Sequence, residues 1–139
     1  MREILFRGKR LDNGEWVEGD LRHGGYYSGD KEVYITQNRP VLINYPVDPE
    51  TVGQFTGRVD KNGRKVFEGD IISITAFAPN IFVGVVLWDD HDQCYLIVKD
   101  PIEQIHIDDF GNYGKPSYYE AIGNIHDNSE LLDGERSDK

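Results

Sequence analysis

Phe82-Val83-Gly84-Val85-Val86-Leu87-Trp88, then Asp89-Asp90-His91-Asp92-Gln93, then Cys94-Tyr95-Leu96-Ile97-Val98: the fold is decided by these three segments. The first and third have almost no polar alternation and are rich in β-branched and aromatic residues, which pack well on a pleated, deeply buried surface. The polar residues between them suit a hairpin loop, so the two runs are expected to pair antiparallel at the centre of a sheet or barrel. Gly84 inside the first run marks a bulge or tight bend of the kind a small barrel needs to close.

Upstream, Ile71-Ile72-Ser73-Ile74-Thr75-Ala76 alternates, with Ile72, Ile74 and Ala76 on one face and Ser73 and Thr75 on the other, a half-buried strand. Val33 to Thr36 and Val41 to Ile43 are short strands parted by Pro40, which cannot donate to a ladder. Downstream, Tyr119 to Ile125 reads as a last strand. Asp127-Asn128-Ser129-Glu130 then has capping-box spacing, which predicts one helical turn through Leu131 and Leu132. Turn signals recur at short intervals: Asn13-Gly14, Gly24-Gly25, Ser28-Gly29-Asp30, Asn62-Gly63, Pro79-Asn80 and Gly111-Asn112.

One internal echo stands out. Asn13-Gly14 followed by Glu18-Gly19-Asp20 returns as Asn62-Gly63 followed by Glu68-Gly69-Asp70. Both copies read as turn, short strand, tight turn, strand, because Asn and Gly tolerate positive φ and the second glycine lets the chain redirect. Two related β-units and two uses of common turn chemistry are both compatible with it.

The chain has 139 residues, 38% of them in the hydrophobic class, enough for one compact domain or two small ones without a metal or disulfide staple. Its single cysteine, Cys94, lies in an apolar run and reads as a small buried hydrophobe with an unreactive thiol, which suits a reducing cytoplasm. The opening Ile4-Leu5-Phe6 is cut off by Arg7, Lys9 and Arg10, far short of a signal-peptide core, and no run approaches a membrane span. A cytoplasmic protein with no membrane partner is expected. Charge is uneven: residues 1–40 carry seven Lys or Arg against seven Asp or Glu, residues 41–75 four against five, and residues 76–139 four against thirteen. Direct nucleic-acid binding depends on cations that displace counterions from phosphates, so this acidic chain is expected to bind none. Arg7, Lys9 and Arg10 read as the solvated edge of a first hairpin.

Pro49 to Gly57, Asp60-Lys61-Asn62-Gly63 and Phe67-Glu68-Gly69-Asp70-Ile71-Ile72, with the opening Met1 to Arg7 and the closing Ile122 to Asn128, resemble the YopX-like family of phage and prophage proteins. The resemblance covers nearly the whole chain apart from residues 23–46 and 99–118. It implies a mainly β fold, with an SH3-like small β-barrel in the C-terminal part, preceded by a smaller β-rich N-terminal part. The expected division is 1–53 for the N-terminal part, 54–132 for the barrel and 133–139 for a frayed acidic tail. It also implies a phage or prophage origin, and hence a bacterial cytoplasm, and assigns no catalytic residues.

The residues themselves argue against chemistry. His91 stands among Asp89, Asp90 and Asp92, but without the frame of a calcium loop it reads as a wet hairpin tip. His106 reads as the outward face of an edge strand, His126 as part of the helical cap, and His23 has no motif around it. Glu68 and Asp70 are expected to cap backbone amides. No nucleophile elbow, Walker loop or dinucleotide fingerprint occurs. No catalytic, cofactor or metal residue is therefore assigned. The leading expectation is a non-enzymatic, self-assembling interaction protein, a homo-oligomer in which a less acidic N-terminal surface meets an acidic C-terminal one. The alternatives are a phage effector that binds a host protein through its acidic half and, last, a metal-dependent enzyme. Tyr26, Tyr27, Tyr113, Tyr118 and Tyr119 are the candidate contact aromatics, or else they close the ends of a small barrel.

Overall fold

The computed structural model describes residues 3–24, 32–75, 81–100, 103–107 and 119–132. The chain is mainly β and packs as two compact units, Met1–Gly57 and Arg58–Lys139. The strands are β1 Phe6–Lys9, β2 Trp16–Gly24, β3 Glu32–Asn38, β4 Leu42–Val47, β5 Gly53–Val59, β6 Lys65–Phe67, β7 Asp70–Ile74, β8 Phe82–Asp89, β9 Cys94–Val98, β10 Gln104–His106 and β11 Tyr119–Asn124. The turns expected at Ser28-Gly29-Asp30, Pro79-Asn80 and Gly111-Asn112, Gly25 of the Gly24-Gly25 signal, and the tail 133–139 lie outside the described residues.

In the first unit the antiparallel order is β4-β3-β2-β1-β5, and β5 runs on past Gly57 and turns back into β6. The β1–β2 turn is set by Asn13, whose side-chain oxygen accepts from the Glu15 amide at 3.0 Å, and by Gly14 at φ 72°. That turn fixes a register from Lys9↔Trp16 to Phe6↔Gly19. Strand β2 then changes partner, pairing with β3 from Asp20 onward. At the switch, a Cβ on Gly19 would fall on the Thr36 carbonyl oxygen, so only glycine lets β2 fold this near to β3. The interior is Val17, Ile35 and Val47, with Phe6, Leu21, Val33, Tyr45 and Val52 around them. Burying each such aliphatic side chain contributes about 1.5–3 kcal/mol.

Past β1, Arg10 bridges Val47, the Leu11 amide donates to the Pro46 carbonyl at 3.0 Å and the Asp48 amide to that of Lys9 at 2.9 Å, so the end of β1 also meets the end of β4. Pro49–Thr51 form a 3₁₀ turn, capped by Asp48 accepting from the Glu50 amide. The buried Thr51 hydroxyl donates to the Asp48 carbonyl and accepts from the Lys9 amide. These contacts correct one expectation: Arg7 and Lys9 do not lie on an edge, because β1 sits between β2 and β5. The pairing Phe6↔Gln54 joins segments far apart in sequence, so no local signal around Arg7 announces it.

The second unit has the order β10-β9-β8-β7-β11. The expected β8–β9 hairpin forms, in register from Asp89↔Cys94 to Val85↔Val98. Ile72 and Ile74 of β7 enter a core with Val66, Val86, Tyr95, Ile97, Ile107, Tyr119 and Ala121. Ile71 on the opposite face is fully buried too, so β7 is covered on both faces rather than half-buried. Ala76 lies outside the described residues.

Gly84 makes no bulge: the β7–β8 ladder runs unbroken from Ile71↔Val85 to Ile74↔Phe82. It is continuous strand, next to the residue where β8 passes from β7 to β9, and a Cβ there would stand 2.9 Å from the Val98 carbonyl oxygen, so glycine serves close approach of β9. The register shift lies in β11, between Ala121 and Gly123. Beyond β11 the Ile125 amide donates to Gly69, and one turn through Leu131 and Leu132 follows, their amides donating to Asn128 and Ser129. Among the described residues no ladder joins β10 to β11, the outer strands of this sheet.

Candidate functional site

The residue cluster with the most chemistry in the sequence is the β8–β9 turn. The structure disperses it. The Asp90 carboxylate accepts from the Trp88 indole N–H at 2.8 Å, the Asp89 carboxylate from the His91 amide at 3.2 Å, and Asp92 lies 3.0 Å from His91 Nδ1 in full solvent. Each carboxylate thus has its own local partner. Among the described residues no group of three or more His, Cys, Asp or Glu side chains converges to hold a metal ion. Trp88, 43% exposed, packs edge-on against Tyr95 with ring centroids 4.9 Å apart, and Leu87 beside it is equally exposed. The turn is therefore an acidic, aromatic surface rather than a pocket.

The other candidates stand apart from it. His23 is on β2 opposite Val33, and His106 is on β10 opposite Leu96. His126 follows β11, its amide donating to Asn124 and its ring near Gly69. Cys94 is half-buried rather than buried, because it pairs with Asp89 at the mouth of the hairpin. Asp70 is buried and accepts from the Phe67 amide at 2.8 Å across Gly69, the capping role expected of it. Tyr119 is a core residue, and burial pushes its phenol above the ordinary value. Tyr26, Tyr27, Tyr113 and Tyr118 lie outside the described residues.

Two features were missed at the level of sequence. Asp60 is 1% exposed and accepts from three amides: Asn62 and Arg64 on one oxygen, Ala121 on the other, each at 2.9 Å. It ties the β5–β6 turn to β11. The signal for half of this was present, since an Asp opening a Lys-Asn-Gly turn is an Asx-turn residue. The second feature is the use of the N-terminal cations. Arg7 lies over the Trp16 ring at 4.7 Å and Arg10 over the Tyr45 ring at 4.6 Å. Arg10 also grips Asp12 through two hydrogen bonds of 3.0 and 2.7 Å, which hold the guanidinium above its ordinary pKa and the carboxyl below its own.

Fold and surface define an all-β chain of two antiparallel units in which the buried polar side chains hold turns and strand ends. The chain belongs to the YopX protein family, whose match spans residues 5–133. It is similar in fold to the crystal structure of protein EF1440 from Enterococcus faecalis, with a TM-score of 0.52 and 22% identity over 95% of this chain and 99% of that one. No curated protein matches it. Among the described residues no helix is long and apolar enough to cross a membrane.

Proposed function

We propose that this protein is a non-enzymatic, self-assembling interaction protein of a phage or prophage, acting in the bacterial cytoplasm, with an SH3-like small β-barrel in its C-terminal part. The observation that carries this reading is the contrast between the two units. Residues 1–57 hold seven Lys or Arg against nine Asp or Glu, and residues 58–139 eight against sixteen, so −8 of the net −10 belongs to the second unit. The acidic unit also presents half-exposed Trp88, whose indole donates to Asp90, beside Asp89 and Asp92. The SH3-like reading is supported by a fifth strand that pairs back on the first strand of each four-strand meander.

Both units are net acidic, at −2 and −8, so association between copies rests on individual Lys and Arg of the less acidic first unit meeting carboxylates of the second, an attraction screened within about 8 Å at physiological salt. Sedimentation at low and high ionic strength tests it. The expected result is an oligomer whose mass falls as salt rises; a mass independent of salt overturns the charge-driven assembly. A second reading, an effector that grips a basic host protein through the acidic unit, is favoured by the same surface. It predicts capture of a basic protein from host lysate that is lost on replacing Asp89, Asp90 and Asp92 by Asn.

A further inference from the structure

The first unit ends in a sheet edge whose chemistry points to a particular occupant. Strand β4 pairs with β3 on one side, from Val33↔Val47 to Asn38↔Leu42. On the other side it meets Leu11 and Lys9 only at its end: Pro46 accepts from Leu11 and Asp48 donates to Lys9, so these residues turn their main-chain groups away from β3. Antiparallel alternation then points the amides and carbonyls of Leu42 and Asn44 the same way. Among the described residues no strand covers them. The side chains here are unusually apolar for an open edge, with Val41 61% and Leu42 59% exposed. Between Asn38 and Val47 the only charge is Arg39. The charged side chains that ordinarily guard an exposed edge are missing from its centre.

We propose that a second copy of this chain adds to this edge, β4 against β4, antiparallel about a two-fold axis through Ile43. This rests on the self-assembly reading above and names its surface. The register follows from Pro46 at one end of the open edge and the β3–β4 turn at the other. Pairing Leu42 with Asn44 of the second copy forms four main-chain hydrogen bonds, because among the described residues no strand pairs with the outward N–H and C=O of either. A slide of two residues one way sets Leu42 against Pro46, which has no N–H and whose carbonyl already accepts from Leu11, and a slide the other way sets Asn44 against the β3–β4 turn of residues 39–41. The same register faces Ile43 with Ile43 and sets Val41 against Tyr45, extending the apolar face that Tyr45 shares with the first core.

The edge dimer is held by main-chain bonds and apolar contact, so it is the species expected to survive high salt. Sedimentation at high salt should give a dimer for the wild type and a monomer for Asn44→Pro, whose lost amide points away from β3 and so leaves the fold in place by circular dichroism. Should Asn44→Pro fail to fold, Ile43→Cys in a Cys94→Ser background gives the second readout: oxidised glutathione should convert it to a covalent dimer, because the two residues face each other across the axis in a non-hydrogen-bonded pair. A wild type that is monomeric at high salt and high concentration overturns the edge proposal while low-salt oligomers would still uphold charge-driven assembly. A folded Asn44→Pro that stays dimeric, or an Ile43→Cys chain that does not cross-link, overturns it as well. A dimer of constant mass at every salt concentration upholds the edge and removes the charge-driven reading.

Discussion

Glu18-Gly19-Asp20 and Glu68-Gly69-Asp70 are the same tripeptide in two different structures. The first is continuous strand: Gly19 lies inside β2, needed because the Thr36 carbonyl leaves no room for a Cβ. The second is a turn: Gly69 sits at φ 88° with only ordinary contacts around it, and Asp70 folds back onto the Phe67 amide. The structural counterpart of Gly19 is Gly84. Each lies in the second strand of a four-strand meander, just before the residue that takes up pairing with the third strand, and each faces an Ile Cγ2 and the carbonyl of the next residue on that strand: Ile35 and Thr36, Ile97 and Val98. The orders β4-β3-β2-β1-β5 and β10-β9-β8-β7-β11 match element for element. The repeat in the molecule is therefore not the echo in the sequence. Shared letters mark shared turn chemistry at Asn13-Gly14 and Asn62-Gly63, while the shared architecture rests on different letters.

This comparison can be broken by measurement. The largest effect is expected at the aspartates beside the two Asn-Gly turns. Asp60→Ala leaves three amides without their acceptor and should cost roughly 4 kcal/mol in urea unfolding, whereas Asp12→Ala, at an exposed ion pair, should leave the midpoint near that of the wild type. Next come the glycines: Gly19→Ala and Gly84→Ala should each cost roughly 2–3 kcal/mol by overpacking against backbone, and Gly69→Ala about 1 kcal/mol from its positive φ alone. A Gly69→Ala variant less stable than the other two would undo the pairing of Gly19 with Gly84. Between the two glycine classes, Asp70→Ala should cost about 2 kcal/mol for the buried Phe67 amide it orphans, whereas Asp20→Ala should stay within about 0.5 kcal/mol as an exposed strand residue.

The smallest effect concerns pH. The Tyr119 phenol, raised by burial above 10.0, holds its proton longer folded than unfolded. Its contribution is fully present below pH 10 and is lost as pH rises through and beyond that value. Tyr119→Phe should flatten the alkaline fall in melting temperature, and an unchanged slope would remove Tyr119 as its source.

How far the sequence could be read depended on how far apart the interacting groups are. The β8–β9 hairpin was legible because strand, turn and strand are contiguous and the runs on either side are both apolar. The capping by Asp70 was legible for the same reason, its acceptor and donor being three residues apart. Nothing local revealed that Asp60 reaches Ala121, or that β1 is flanked on its second side by β5. The candidate site followed the same rule: the acids around His91 were visible as a cluster in the chain, but their separate partners, the Trp88 indole among them, were not.

By itself the sequence determined the strand content, the places where the chain reverses and the uneven charge, since each depends on residue type or near neighbours. Only the tertiary structure decided which strand lies beside which, that Gly19 answers to Gly84, and that among the described residues no strand pairs with the outer edge of Leu42–Asn44. Those outcomes depend on pairings between residues tens of positions apart, chosen by the packing of whole faces and leaving no mark on any short stretch of chain.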